Sequence, residues 1–221
     1  MRDGVRELHV DGTFASRYEP GRVITGSVWD ALAAGIAALP SRRRRSVLLL
    51  GLGGGSAARV VRALAPRAQI VGVEIDPSVV RLARRWFDLD DLDVEVVLDD
   101  ARTNLERCRK RFDAVLEDVF IGTGRDAVKP EWLPQPGLAR AAARLARYGI
   151  LASNALDEAP AVSVAMGGLF PSVVRIEVED YDNQIFVGCS RRLTGRELRR
   201  AVAATPVLAP TLPRLSFRSL R

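Results

Sequence analysis

Short polar clusters recur between residues 51 and 154, each directly after an apolar run: Gly51-Leu52-Gly53-Gly54-Gly55-Ser56, Glu74-Ile75, Asp99-Asp100-Ala101, Glu117-Asp118 and Ser153-Asn154. The residue types suggest a division of labour. Glycines let backbone approach a ligand closely and adopt positive φ. A helix that opens after such a loop turns unpaired N–H groups toward a polar or anionic ligand. Glu74 follows Gly51 by 23 positions, the place for an acid that accepts hydrogen bonds from ribose hydroxyls. Asp100, next to Ala101, is placed to accept from an adenine amino group. Asp118 is the candidate for the reacting centre, as a base or an orienting group.

These residues need a scaffold that brings them to one edge. Val47-Leu48-Leu49-Leu50 is a continuous apolar run stopped by glycine, as in a parallel strand covered on both faces. Further strands are expected at Gln69–Val73, Val94–Leu98, Phe112–Leu116 and Gly149–Ser153. Helices are expected between them at Ala57–Leu64, from Pro77 to Trp86 with Asp76 as N-cap, up to Cys108, and at Leu138–Ala146. This alternation is the signature of a doubly wound α/β sheet, whose ligands sit beyond the carboxyl ends of the strands.

Ser172–Val178 and Gln184–Cys189 flank the turn-prone Glu179-Asp180-Tyr181-Asp182-Asn183 and read as an antiparallel edge hairpin. Glu7–Val10 and Thr13–Tyr18 around Asp11-Gly12 read as a small N-terminal β-hairpin. Ser27–Leu39 reads as a helix ended by Pro40. The fold expected is α/β: a mostly parallel seven-stranded sheet with these two hairpins. Its divisions are a hairpin extension (1–25), a main domain (26–190) and a basic C-terminal helix or tail (191–221).

Composition narrows the function. The 221 residues are 48% hydrophobic and 27% charged, enough for one sizeable core. No apolar run approaches a membrane span, and Met1–Glu7 lacks a secretory pattern, so a cytoplasmic protein is expected. Cys108 and Cys189 have no metal-type or disulfide-framework spacing. With a single histidine, His9, and no His/Cys cluster, no metal site is expected. Residues 191–221 hold eight arginines and one glutamate, a net of +7, whereas the chain is +6, which leaves −1 for residues 1–190. A nucleic-acid partner is therefore not expected. The segment after the fourth strand, Glu117-Asp118-Val119-Phe120, also lacks the Pro-Pro-aromatic grip used on a flipped base.

The glycine loop has Ser56 where the dinucleotide fingerprint places its third glycine. The acid pair Asp99-Asp100 and the edge hairpin likewise favour an adenosyl ligand over a dinucleotide. With that set assembled, Ser46–Phe87, Leu98-Asp99-Asp100-Ala101-Arg102 and Arg111–Asp118 resemble the spermidine synthase-like branch of the class I S-adenosylmethionine-dependent methyltransferase fold. Asp11–Pro20 resembles its N-terminal hairpin more loosely.

The resemblance implies a site made of Gly51, Gly53, Gly54, Gly55, Glu74, Ile75, Asp99, Asp100, Ala101 and Asp118. Glu74 would hold the ribose, Asp100 the adenine end, and Asp118 would match the first acid of the aminopropyltransferase signature. The second acid of that signature is replaced by Ile121, the hairpin glutamine by Ala15, and the amine-binding tyrosine-histidine-glutamate stretch by Val28-Trp29-Asp30.

A polyamine needs several carboxylates, so the expected activity is transfer from S-adenosylmethionine, most simply of methyl, to a small molecule. Tyr18, Trp29, Asp30, Phe120, Asn154 and Tyr181 are candidate pocket residues. The alternatives are aminopropyl transfer from decarboxylated S-adenosylmethionine (with methylthioadenosine as product), attack within the donor itself, and non-catalytic adenosyl binding. The two hairpins are surfaces on which a homodimer could form.

Overall fold

The structure is a computed structural model that describes residues 4–124 and 126–220. The charged start Met1–Asp3 and the last arginine of the tail, Arg221, lie outside the described residues.

Strands β1 (Arg6–Val10) and β2 (Thr13–Tyr18) form the expected hairpin. Its turn residues Asp11 and Gly12 both have positive φ, which matches the twist of the flanking strands. Helix α1 (Val28–Ala34) continues as a 3-10 turn over Gly35–Ala38. The alternating core follows in order: β3 (Ser46–Leu50), α2 (Ser56–Leu64), β4 (Gln69–Glu74), α3 (Pro77–Trp86), β5 (Val94–Leu98), α4 (Ala101–Arg107) and β6 (Phe112–Glu117). Two short strands, β7 (Ile121–Gly122) and β8 (Ala127–Val128), pair in the next loop. After them come α5 (Gly137–Ala142), β9 (Leu145–Ala155), α6 (Ala159–Leu169), β10 (Ser172–Val178), β11 (Gln184–Cys189), α7 (Gly195–Ala203) and β12 (Leu215–Ser219).

The main sheet has the order β12-β10-β11-β9-β6-β3-β4-β5. Strands β9 to β5 are parallel, and β11, β10 and β12 extend the sheet antiparallel. The alternation within β3 shows why its apolar run is continuous: Val47 and Leu49 enter the core under α1, α2 and α7, while Leu48 and Leu50 enter the core under α4, α5 and α6.

Three local differences from the sequence expectation have physical causes. The sheet holds eight strands rather than seven, because the basic tail folds onto it. Thr194 and Glu197 form a capping box that starts α7, and Leu198 and Val202 are fully buried. β12 then pairs with β10. The expected helix Leu138–Ala146 ends at Ala142, where β9 takes over. Ala159–Leu169 has no charged residue to mark a polar face, yet it forms α6 against β11. No helix among the described residues is long and apolar enough to cross a membrane.

Candidate active site

The carboxyl ends of β3, β4, β5, β6 and β9 converge as the alternation requires, and the site is built on them. Gly51 leaves β3 at φ +83°, and a Cβ there would run into the Asp118 carbonyl. Asp118 N donates in turn to Leu50 O at 2.8 Å, so the glycine loop and the end of β6 are locked edge to edge. Gly53 and Gly55 also have positive φ, and Gly55 serves as the N-cap of α2.

Glu74 holds this loop. One carboxylate oxygen accepts from Gly53 N at 2.8 Å, and the other from Ile75 N at 3.0 Å and Asp76 N at 3.1 Å. Asp99 follows β5, with its N–H on the Glu74 carbonyl at 3.1 Å. Asp100 caps α4 through Thr103 N at 2.9 Å. Ala101 is buried as the first residue of α4. Ile75, 67% exposed, and Leu98, 56% exposed, stand among these acids at the strand ends. Apolar side chains left open between polar groups suit the face of a flat ring.

The N-terminal hairpin covers the loop. Gly54 N donates to Ser16 Oγ at 2.6 Å, and Ser56 Oγ bridges the backbone N and O of Arg17 at 2.9 Å each. Ser56, the residue that breaks the dinucleotide pattern, is thus the anchor of β2. The hairpin tip reaches the loop after β6: Gly124 N donates to Asp11 O at 3.0 Å, and Gly122 packs against Val10 and Asp11.

Asp118 lies where the hairpin, the glycine loop, α1 and β9 meet. Its Oδ2 accepts from Trp29 Nε1 at 2.9 Å, and its Oδ1 from Asn154 Nδ2 at 2.8 Å. Asn154 accepts from Asn183 Nδ2 at 2.9 Å, extending the chain to the edge hairpin. The residue keeps some exposed surface, but its carboxyl sits deep among protein atoms. Desolvation by burial pushes it above the usual carboxylate range and outweighs the Asn154 hydrogen bond, the Lys129 charge and the Trp29 hydrogen bond, which all act the other way.

Beneath it is a pair that the sequence reading passed over. Lys129 Nζ meets Glu117 Oε1 at 2.8 Å with both side chains fully buried. Ser153 Oγ donates to Glu117 Oε2 at 2.6 Å, and Val119 N donates to Oε1 at 2.8 Å. The ammonium also lies 4.1 Å from the centre of the Phe120 ring. The available signal was that Lys129 is one of only two lysines in a chain whose other basic residues are arginines.

Trp29, Asn154 and Phe120 therefore gather around Asp118, directly or through Lys129. The other pocket candidates do not. Asp30 is 1% exposed, and its oxygens accept from Thr25 N, Thr25 Oγ1 and Gly26 N, holding the loop that enters α1; burial raises its pKa. Tyr18 donates to Asp88 and lies under Arg59 in a separate cluster with Leu8, Val79 and Phe87. Tyr181 packs against the core from the edge hairpin, and its N–H bonds Val178 O. Ile121 sits in β7, 51% exposed. Ala15 lies in β2, and its carbonyl accepts from Ser16 Oγ. His9 packs against Phe14, which in turn meets Trp29 edge-on at 5.2 Å. A shallow apolar depression lined by Pro134, Ala139, Ala161 and Val164 shares no residue with this constellation.

Residues 47–147 match the methyltransferase domain family. Over 79 residues the chain is 44% identical to an eEF1A lysine and N-terminal methyltransferase homolog of Drosophila melanogaster, a match spanning 34% of this chain but 12% of that relative. A probable spermidine synthase from Corynebacterium glutamicum superposes with a TM-score of 0.77 at 19% identity, over 97% of this chain and 83% of that one. Human methyltransferase-like protein 13, solved in complex with SAH, superposes with a TM-score of 0.68 at 25% identity, over 84% of this chain and 92% of that one. The chain thus has the fold shared by class I methyltransferases and spermidine synthases, and residues 47–147 are similar to the methyltransferase domain family.

Proposed function

We propose that this protein is an S-adenosylmethionine-dependent transferase that moves a group, most simply methyl, to a small-molecule acceptor held against Asp118. The observation that carries this reading is the fixed Asp118 carboxyl, locked by Gly51 to the glycine loop and aimed by Trp29 and Asn154. The residues fit the donor. Gly51, Gly53, Gly54 and Gly55 form a cradle without Cβ atoms, Glu74 offers carboxylate lone pairs to a ribose, and Ile75, Asp99, Asp100 and Ala101 follow β4 and β5, on the side where the adenine would lie. The similarity to a methyltransferase solved with SAH supports the same donor.

When bound, the donor supplies an electrophilic carbon on an activated sulfonium. The chain's own part is positioning and proton handling. Asp118, with its raised pKa, accepts a proton from the acceptor nucleophile. Trp29 and Asn154 hold the carboxyl in one orientation, and the hairpin excludes water above the loop. Isothermal titration with S-adenosylmethionine and S-adenosylhomocysteine is the direct test; no binding of either at millimolar concentration overturns the reading.

One observation favours a second reading, aminopropyl transfer from the decarboxylated donor. Gly53 N and Gly54 N, groups a donor carboxylate would use, are engaged by Glu74 and Ser16. Against it stands the thinned acid set, with Ile121 and Ala15 in place of polar residues. Relative affinity for the two donors separates them: tighter binding of the decarboxylated donor makes aminopropyl transfer the activity.

A further inference from the structure

The edge of the sheet opposite the glycine loop has its own chemistry. In a parallel sheet every helix-to-strand connection arrives at the amino ends of the strands, so the residues just before β3, β6 and β9 must lie side by side. Hydrogen bonds across these turns confirm the juxtaposition: Gln69 N to Arg45 O at 2.8 Å, Phe112 N to Arg144 O at 2.8 Å, and Arg43 Nη1 to Arg147 O at 2.7 Å. β11 ends at the same edge, since Cys189 pairs with Ile150.

These turns are rich in arginine. Arg42, Arg45, Arg107, Arg109, Arg147 and Arg192 are all exposed. None has a carboxylate within 4.0 Å among the described residues. The acids of this edge are otherwise engaged. Asp113 accepts from the Arg45 and Ser46 backbone, Asp93 pairs with Arg62, and Glu95 lies 3.8 Å from Lys110 at the β5 corner. The near-neutral sum over residues 1–190 thus conceals a segregation, with carboxylates around the glycine loop and unpaired guanidiniums on the far rim.

The rim also carries a shaped aromatic. Where β9 runs beside β6, Asp113 alone faces residues 146–149, so β9 bulges outward. Tyr148 lies in this bulge with φ +66°, 37% exposed, and the guanidiniums of Arg43 and Arg147 lie 5.3 and 4.7 Å from its ring centre. A non-glycine aromatic held at positive φ marks a backbone shaped against its own preference.

We infer that this rim binds the phosphate backbone of a single-stranded nucleic acid. Unpaired arginines at successive strand starts form a line of forked donors suited to phosphates, with Tyr148 as an aromatic among them. A lipid surface fits less well, because Tyr148 is the one exposed large hydrophobic side chain on this rim among the described residues. The others are on the strand ends around the site, on α3, on α6, in the loop before α1 and in β7 and β8.

The test uses the full chain and a fluorescein-labelled oligouridylate of about 20 nucleotides, followed by anisotropy as salt rises from ~50 to ~200 mM. The triple variant Arg42→Glu, Arg109→Glu, Arg147→Glu is expected to weaken binding at least tenfold and to flatten the log–log salt slope by about 2, at ~0.7 per lost contact. A charge-matched variant, Arg81→Glu, Arg85→Glu, Arg199→Glu, is expected to stay within about twofold of the parent and controls for bulk charge. Equal losses in the two variants, no binding by the parent, or rim-dependent binding to phosphatidylserine vesicles but not to the oligonucleotide would each overturn the proposal. Thermal melting confirms that both variants fold. Titration of both with S-adenosylhomocysteine reads the donor site separately, so failure there bears on the function proposed above and not on the rim.

Discussion

Trp29 Nε1 donates to Asp118 Oδ2 at 2.9 Å, joining α1 to the end of β6 across 89 positions of sequence. The bond stabilises the ionised carboxyl against the desolvation that raises its pKa. Trp29→Phe keeps most of the buried ring and deletes only the donor. The pKa of Asp118 is then expected to rise further, moving the acid limb of kcat/KM to higher pH. A hydrogen bond to a charged group contributes about 1.5–3 kcal/mol, so rates at neutral pH should fall by roughly one order of magnitude. An acid limb that stays in place in the phenylalanine variant would show that the indole does not act on the ionised form.

The same raised pKa makes stability depend on pH. A carboxyl whose folded-state pKa lies above its unfolded value contributes stability that is fully present below the unfolded pKa and is lost as pH rises through the folded one. Asp118→Asn removes this loss. Its melting temperature relative to the parent should therefore climb as pH rises from ~4 toward neutrality, whatever constant offset follows from leaving one of the two donors, Trp29 or Asn154, without its acceptor. Parallel slopes of melting temperature against pH for the two proteins would contradict the assignment.

Lys129 and Glu117 make a separable prediction. Lys129→Met leaves a fully buried carboxylate without its cation, and breaking such a pair from one side costs about 3–5 kcal/mol. In a chain of this size that corresponds to a fall in melting temperature of roughly 10 °C. The double variant Lys129→Met, Glu117→Gln neutralises both groups, keeps an acceptor oxygen for Val119 N and places an amide N–H that can donate to the Ser153 hydroxyl. It should recover most of the lost stability. Urea titrations of the two variants give the coupling energy directly; a double variant no more stable than Lys129→Met would mean that packing of the lysine stem, and not the charge pair, holds this loop.

How far the sequence reading reached follows from the range of each interaction. The glycine loop, Glu74, Asp99-Asp100 and Asp118 were legible because each directly follows an apolar run, and a doubly wound sheet sends all such ends to one edge. Trp29 and Asn154 were named as pocket candidates but not as partners of Asp118, since the separations of 89 and 36 residues carry no local signal. Asp30 shows the opposite failure: a carboxylate beside Trp29 in sequence points to the other side of α1 and serves its own loop. The tail was legible only as a basic helix or tail: its arginines and prolines carry no sign of a sheet strand, yet Leu198, Val202 and Leu215, spaced for one helix face and one strand, bury it against the sheet.

Ser16 provides a test of the hairpin as a cover. The residue is 1% exposed and its hydroxyl accepts from Gly54 N at 2.6 Å, while Gly53 and Gly54 have no room for a Cβ beneath it. Ser16→Ala removes the acceptor and leaves a buried backbone N–H unsatisfied, a cost of about 1–3 kcal/mol. The interface between β2 and the loop carries this loss locally, because the sheet core beneath is packed independently through Leu48–Leu50. Amide hydrogen exchange should therefore quicken by roughly tenfold or more over Thr13–Tyr18 and at Gly54, with β3, β4 and β6 unchanged. S-adenosylhomocysteine should restore part of the protection, since a ligand held between the hairpin and the loop stabilises the closed arrangement. Uniform acceleration over the whole sheet would instead assign Ser16 to global stability and remove the hairpin from the site.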